Sequence, residues 1–316
     1  MIARLFVLLC VVAWPIAKWP LSEFSGSPGS KRPPEFRTQA IEVQVTLSAE
    51  DTQHRIISNL SRQDFTVLED GKPVPDIAAF HTSFDLPLRL ALLLDGSTSM
   101  QKGFAGGERA AQDFVSRVVR PSTDSLVLVE FSNQAMFSDA PSGRPDLIFA
   151  DLRPPRAGAL TALYDALYET SLKMLLTRNE NEPEKSVIVL FSDGEDDLSM
   201  HNLQQAIEIA DRADISIYAI TAHTTRKTHP GDAVLRQLAD STGGRAFILR
   251  TYEDSDQALA AVEQELRTQY TVSFRPHTAT GCGYHRLAVV PIDHQLHIRA
   301  RDRYYRCPPD AGPAGP

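Results

Sequence analysis

The sequence predicts an α/β protein: a doubly wound, mostly parallel sheet with helices on both faces, plus a small antiparallel β-unit built from the flanking N- and C-terminal segments. Three observations carry this prediction. Leu88–Leu94 and Val187–Phe191 are short, wholly apolar runs, the pattern of strands buried on both faces of a parallel sheet. Between residues 86 and 267 such runs alternate with stretches whose apolar residues recur at helical spacing. Repeated β-α-β units of this kind need right-handed crossovers, which put helices on both faces. The segments on either side, 39–84 and 268–307, alternate apolar and polar residues instead, as half-buried strands do.

Taken in order, the chain opens with one positive charge at Arg4 and an apolar run, Leu5–Ala17, broken by Pro15. The run is shorter than the roughly 20 residues that span a bilayer. Residues 1–21 are therefore expected to be a secretory signal peptide or, if uncleaved, a membrane anchor. Either way the remainder is expected outside the cytoplasm, periplasmic or secreted, with membrane contact only through this segment. Cys10 follows Leu9 rather than a small residue, so lipidation there is not expected. Residues 22–38 are rich in Ser, Gly, Pro and charge and read as a linker. In the N-terminal β-unit, Ala40–Leu47 and Phe65–Glu69 alternate, Asp70-Gly71-Lys72 is a hairpin-type turn, and Pro75–Phe80 is expected to be the returning strand.

The central domain, 86–267, reads as follows. Leu88–Leu94 is its first strand. Glu108–Val119 is a helix with Ala111, Phe114, Val115, Val118 and Val119 on one face. Leu126–Phe131 is a second buried strand, and Asp146–Ala150 a short edge strand. Leu160–Leu176 is a helix, Val187–Phe191 a strand, Leu203–Arg212 a helix and Ile215–Thr221 a strand. A helix over Asp232–Asp240 stops at Gly243-Gly244, Arg245–Leu249 is a strand, and Ser255 is expected to cap a last helix. Strands return at Tyr270–Phe274, Arg286–Pro291 and Gln295–Ala300, and are expected to pack with the N-terminal β-unit. The tail, 308–316, is expected to be disordered.

Composition narrows the function. Of 316 residues, 42% are hydrophobic and 23% charged, ordinary for a globular protein with a sizeable core. A net charge of -8 argues against a general nucleic-acid binder. The three cysteines, Cys10, Cys282 and Cys307, include no C-x-x-C, so a thiolate zinc site is not expected; the nine histidines include no H-E-x-x-H, and His201, His223, His229 and His294 read as surface residues. An oxidising compartment would permit a Cys282–Cys307 disulfide. Gly106-Gly107 lacks the dinucleotide-binding pattern, and no G-x-S-x-G elbow for acyl transfer occurs.

The chemistry-bearing residues collect at strand ends. Leu88–Leu94 stops at Asp95, followed by Gly96, Ser97, Thr98 and Ser99. Thr161 stands where an apolar helix begins. Val187–Phe191 runs into Ser192-Asp193-Gly194-Glu195-Asp196-Asp197. In open α/β sheets the loops beyond the strands' carboxyl ends are where ligands bind. Carboxylates and hydroxyls are hard oxygen donors, suited to Mg, Mn or Ca. Glu195, Asp196 and Asp197 would add negative charge that raises cation affinity, although Asp196 and Asp197 read rather as a solvated acidic run.

Asp-x-Ser-x-Ser at a strand end, then a Thr before an apolar helix, then a strand ending in Ser-Asp-Gly, resembles the metal-ion-dependent adhesion site of von Willebrand factor type A domains. The segments Gln63–Lys72 and Arg299–Tyr305 resemble a bacterial, secreted subgroup of such proteins, so the resemblance covers about residues 40–307. It implies that Ser97, Ser99 and Thr161 bind an ion, Mg2+ or else Mn2+ or Ca2+, through their hydroxyls. Asp95 and Asp193 would bind it directly or through water and orient the hydroxyls. It also implies a non-enzymatic adhesion-type module whose ion takes a carboxylate from a partner protein. Two alternatives stand beside it: a metal-dependent hydrolase doing phosphoryl chemistry, and a scaffold whose ion is purely structural.

Overall fold

The computed structural model describes residues 42–82, 86–101, 104–138, 149, 160–179, 183–222, 229–251, 254–277 and 282–306. The chain begins there with β1 (Val43–Asp51), β2 (Phe65–Glu69), β3 (Lys72–Pro73) and β4 (Asp76–Thr82). It then enters an α/β region. This holds β5 (Leu88–Asp95), α1 (Phe104–Val118), β6 (Ser125–Phe131), β7 (Ala135–Phe137), α2 (Leu163–Leu176) and β8 (Lys185–Phe191). It continues through α3 (Leu203–Arg212), β9 (Ile215–Ala222), α4 (Pro230–Thr242), β10 (Arg245–Leu249) and α5 (Ser255–Thr268). Four strands close the described chain: β11 (Tyr270–Arg275), β12 (Gly283–Pro291), β13 (Leu296–Ala300) and β14 (Arg303–Arg306).

The α/β region is one six-stranded sheet of order β10-β9-β8-β5-β6-β7, parallel throughout except for β7. Its central strands are apolar because both faces are covered. Leu88, Leu90, Leu92 and Leu94 pack on the side of α1 and α5. Ala91 and Leu93 pack on the other side, with α2, α3 and α4. Each buried Leu is worth about 1.5–3 kcal/mol over its exposed state, so this strand alone anchors the two layers. The helices end where their sequences demand it. Asn202 Oδ1 accepts the amide of Gln205 at 3.0 Å while Gln205 Oε1 accepts that of Asn202 at 2.9 Å, a reciprocal cap on α3. α4 starts at Pro230 and stops at Gly243, whose φ of 76° is left-handed.

The flanking strands form two antiparallel sheets, of order β13-β1-β11-β4 and β14-β12-β2-β3. Both draw strands from each end of the chain: β1 pairs with β11 and β13, and β2 with β12. Val43, Val45, Leu47, Phe65, Val67, Val272, Phe274 and Tyr304 share one core between them. The expected pairing of the two flanks is therefore found, but as a two-sheet sandwich rather than one small unit.

Some expectations change. The segment after the Asp70-Gly71 turn does not return beside β2 for long. Only Lys72–Pro73 does so, and β4 crosses to the other sheet to pair with β11. The edge strand observed is β7, three residues after β6; Asp146–Ala150, apart from Phe149, lies outside the described residues, as do residues 1–41 and 307–316. The residue preceding α5 is Asp254, and Ser255 is the helix's own first residue, so it is not the cap. Among the described residues no helix is long and apolar enough to cross a membrane.

Candidate metal centre

β5 lies between β6 and β8. The chain leaves β5 for α1 on one face and leaves β8 for α3 on the other. The loops beyond these two strand ends therefore part, and the crevice between them is the usual ligand position of such a sheet.

Asp95, the last residue of β5, is 1% exposed. Its Oδ2 accepts the hydroxyl of Ser192 at 2.6 Å and its Oδ1 the amide of Ser97 at 2.9 Å. Burial raises this carboxyl from 3.8 to about 6 against those hydrogen bonds, and the nearby charge of Asp193 pushes the same way. Ser97 is buried and its Oγ lies 3.1 Å from that of the exposed Ser99.

Thr161 is 3% exposed. Its carbonyl accepts the amides of Asp197 at 2.8 Å and Leu198 at 3.0 Å, and its own amide donates to Asp197 Oδ2 at 3.3 Å. Its hydroxyl makes no hydrogen bond among the described residues. Asp193 is half-buried just past β8, where its Oδ1 accepts the amide of Glu195 at 3.1 Å. Gly194 follows at φ 79° and packs on Gly231 at the start of α4 so tightly that a Cβ would meet the Gly231 carbonyl oxygen at 2.4 Å.

Hydrogen bonds join the loops into one frame. Ala162 donates to the carbonyl of Ser132 at 2.7 Å, and Gly96 to that of Phe131 at 2.6 Å. The first amides of α2 have no partner within the helix. The loop after β8 supplies partners: Tyr164 N donates to Asp196 Oδ1 at 3.1 Å and Asp165 N to Ser199 Oγ at 3.0 Å. In return Asp165 accepts the amides of Met200 at 3.0 Å and His201 at 2.9 Å.

Sequence reasoning missed part of this. Ser192, wholly buried, donates to Asp95 and accepts the amide of Gly194 at 3.1 Å, so it ties the first loop to the third. Asp196 and Asp197 are not a merely solvated acidic run, because their carboxylates hold the Thr161 segment. The legible signal was Ser192 beside Asp193; nothing in the sequence marked Asp196 or Asp197 as braces.

The donors available are two carboxylates and three hydroxyls, all hard oxygens, which fits Mg, Mn or Ca. A buried carboxyl lifted to about 6 beside a second one is a place where a cation is electrostatically welcome. Among the described residues no group of three or more His, Cys, Asp or Glu forms a metal cluster, so a site here depends on hydroxyls. Cys282 is disulfide-bonded; Cys307 lies outside the described residues.

Comparison with known proteins gives the fold and the family. No curated protein sequence matches the chain. A structure of proximal thread matrix protein 1 from the mussel byssus, with a zinc-occupied MIDAS motif, is similar at 19% identity and a TM-score of 0.50, over 64% of this chain and 50% of that one. The chain thus spans about half the length of the mussel protein. A von Willebrand factor type A structure from Catenulispora acidiphila is similar at 9% identity and a TM-score of 0.46, over 85% of this chain and 75% of that one. A paralogue of ArnB, VWA2, from Sulfolobus acidocaldarius is similar at 13% identity and a TM-score of 0.43, over 84% and 76%. The profile of the von Willebrand factor type A domain matches residues 90–262, a span that opens inside β5 and closes inside α5, and the chain belongs to that family.

Proposed function

We propose that this protein is an extracytoplasmic, non-enzymatic binding module that engages a carboxylate of a partner protein through a divalent ion. Asp95, Ser97, Ser99, Thr161 and Asp193 would hold that ion. The observation that supports this most is the buried Asp95 at the strand-order reversal, linked through Ser192 to the Asp193 loop and beside the paired hydroxyls of Ser97 and Ser99. When bound, the ion would supply Lewis acidity toward an incoming carboxylate. The chain's own residues set the rest. Asp95 is fixed by two hydrogen bonds and so orients Ser97. Thr161 is held by backbone bonds to Asp197 and Leu198, which leaves its hydroxyl unengaged. With few direct carboxylates, the centre would leave the ion short of negative charge and open to one more anionic ligand.

The compartment rests on the apolar Leu5–Ala17 run and on the disulfide-bonded Cys282, since disulfides persist outside reducing cytoplasm. In this reading residues 1–21 direct export or anchor the chain, 22–38 form a linker, and the partner is a protein rather than a nucleic acid. Mg2+ is the favoured ion. Mn2+, Ca2+ and, because the mussel structure carries zinc in its motif, Zn2+ belong in the same titration.

The test is calorimetric titration of each ion into the metal-stripped full chain and into Asp95→Ala. Binding by the parent, a loss of at least about tenfold in the variant (1.4 kcal/mol), and ion-dependent capture of an acidic partner are expected. Equal binding by both proteins refutes the site. Ion binding that stabilises the fold without any ion-dependent partner supports the structural-ion alternative, and turnover of generic phosphate esters supports the hydrolase.

A further inference from the structure

A cavity of about 380 Å³ opens between the carboxyl-terminal half of α2 and the β6–β7 edge of the sheet. It lies at the opposite end of β5 from Asp95. Its size falls within the roughly 300–1,000 Å³ of small-molecule sites. Val127, Phe137 and Met174 give it an apolar wall. Leu176, 75% exposed, extends that wall to the surface.

Two polar features are left over. The first is Thr170, which lines the cavity and is wholly buried, with a hydroxyl that has no hydrogen-bond partner among the described residues. A buried hydroxyl without a partner is uncommon and costly. The second is Lys173. Its ammonium sits 3.4 Å from the centroid of the Phe137 ring and meets no carboxylate among the described residues. The other cation of the wall, Arg89, is already committed. It donates to Glu184 at 2.7 Å, to the carbonyl of Met174 at 2.9 Å and to Thr177 at 2.5 Å.

We propose that this cavity binds a small amphipathic carboxylate, its acidic head at Lys173 and its apolar body between α2 and β6–β7. An exposed, aromatic-backed ammonium that meets no carboxylate among the described residues suits one negative head group. An apolar wall running inward from Leu176 suits a hydrocarbon body. The proposal does not depend on the metal centre.

The probe is dodecanoate below its micelle concentration, titrated calorimetrically into the full chain beside dodecanol and dodecyltrimethylammonium. Saturation by one dodecanoate is expected, with the ammonium amphiphile at least about fivefold weaker. Lys173→Gln should weaken dodecanoate about fivefold and leave dodecanol unchanged. Val127→Trp, which fills the cavity, should abolish binding while thermal melting shows a folded protein. If that variant does not fold, Lys173→Glu at the exposed rim decides: rejection of dodecanoate with dodecanol retained sustains the proposal. Binding that ignores head-group charge, or that survives Val127→Trp or Lys173→Glu unchanged, overturns it.

Discussion

At the scale of single residues, Asp95 carries the most consequence, because its environment opposes its charge. Its carboxyl is raised from 3.8 to about 6 in the folded, metal-free protein, chiefly by burial. Between those values the native state holds a proton that the unfolded chain has released, so stability falls as pH rises through the window. The gap is worth about 3 kcal/mol. Other carboxyls contribute with the opposite sign, Asp124 among them, its carboxyl held low by Arg120 and backbone amides that outweigh its burial. The comparison with Asp95→Asn isolates the effect. Denaturation of the stripped proteins at pH 4 and pH 6.5 should show the parent losing about 2–3 kcal/mol more than Asp95→Asn across the interval. An added divalent ion should reverse that loss. Equal pH dependence in parent and variant would mean that Asp95 ionises normally. The residue scale also marks a limit of the sequence. Asp95, Ser97, Ser99, Thr161 and Asp193 stand out because small polar residues follow apolar strands. Asp196 and Asp197 act through bonds to the distant backbone amides of Tyr164 and Thr161, and no local pattern records those.

Among elements, strands and helices were legible where one periodicity dominates. Leu203–Arg212 and Arg245–Leu249 have the bounds the pattern gives, since an amphipathic helix with an Asn202 cap and a short strand after Gly243-Gly244 admit little else. Three elements were less clear for a physical reason. β7 is three residues long and antiparallel, too short for any alternation to register. β4 changes sheets after a hairpin turn, a choice made by its long-range pairing with β11 and not by the turn. α2 begins without a side-chain cap of its own; the loop after β8 caps it from 32 residues further along the chain. That loop depends on Gly194. Its left-handed φ costs an L-residue roughly 1–2 kcal/mol, and a Cβ would press on the Gly231 carbonyl. Gly194→Ala should therefore lower the melting temperature and shift Asp193, with an ion affinity at least about tenfold weaker by calorimetry (1.4 kcal/mol). An unchanged affinity would show that the loop's path does not set the site.

At the scale of the whole molecule, the α/β region and the sandwich are joined by more than chain continuity. α5 passes into β11 through Gln269 alone, so helix and sheet share a fixed junction. Glu265 on α5, almost fully buried, gathers groups from both parts. Arg299 of β13 and the hydroxyls of Ser48 (2.9 Å) and Tyr218 (2.7 Å) all reach its Oε1. A second tie is the 2.7 Å bond from Arg303 of β14 to Asp211 of α3. Buried ion pairs add little net stability when intact, yet removing one partner costs about 3–5 kcal/mol because a buried charge is left uncompensated. Arg245, 3.9 Å from Glu265 Oε2, softens that loss, so Arg299→Met should cost about 3 kcal/mol in denaturant unfolding of the full chain. Glu265→Gln combined with Arg299→Met removes the orphan charge and should be more stable than the two single losses added together, by about 0.5–3 kcal/mol. Additive losses would show that Glu265 is neutralised by other groups, and that the sandwich is held to the α/β region by its packing and its backbone junction instead.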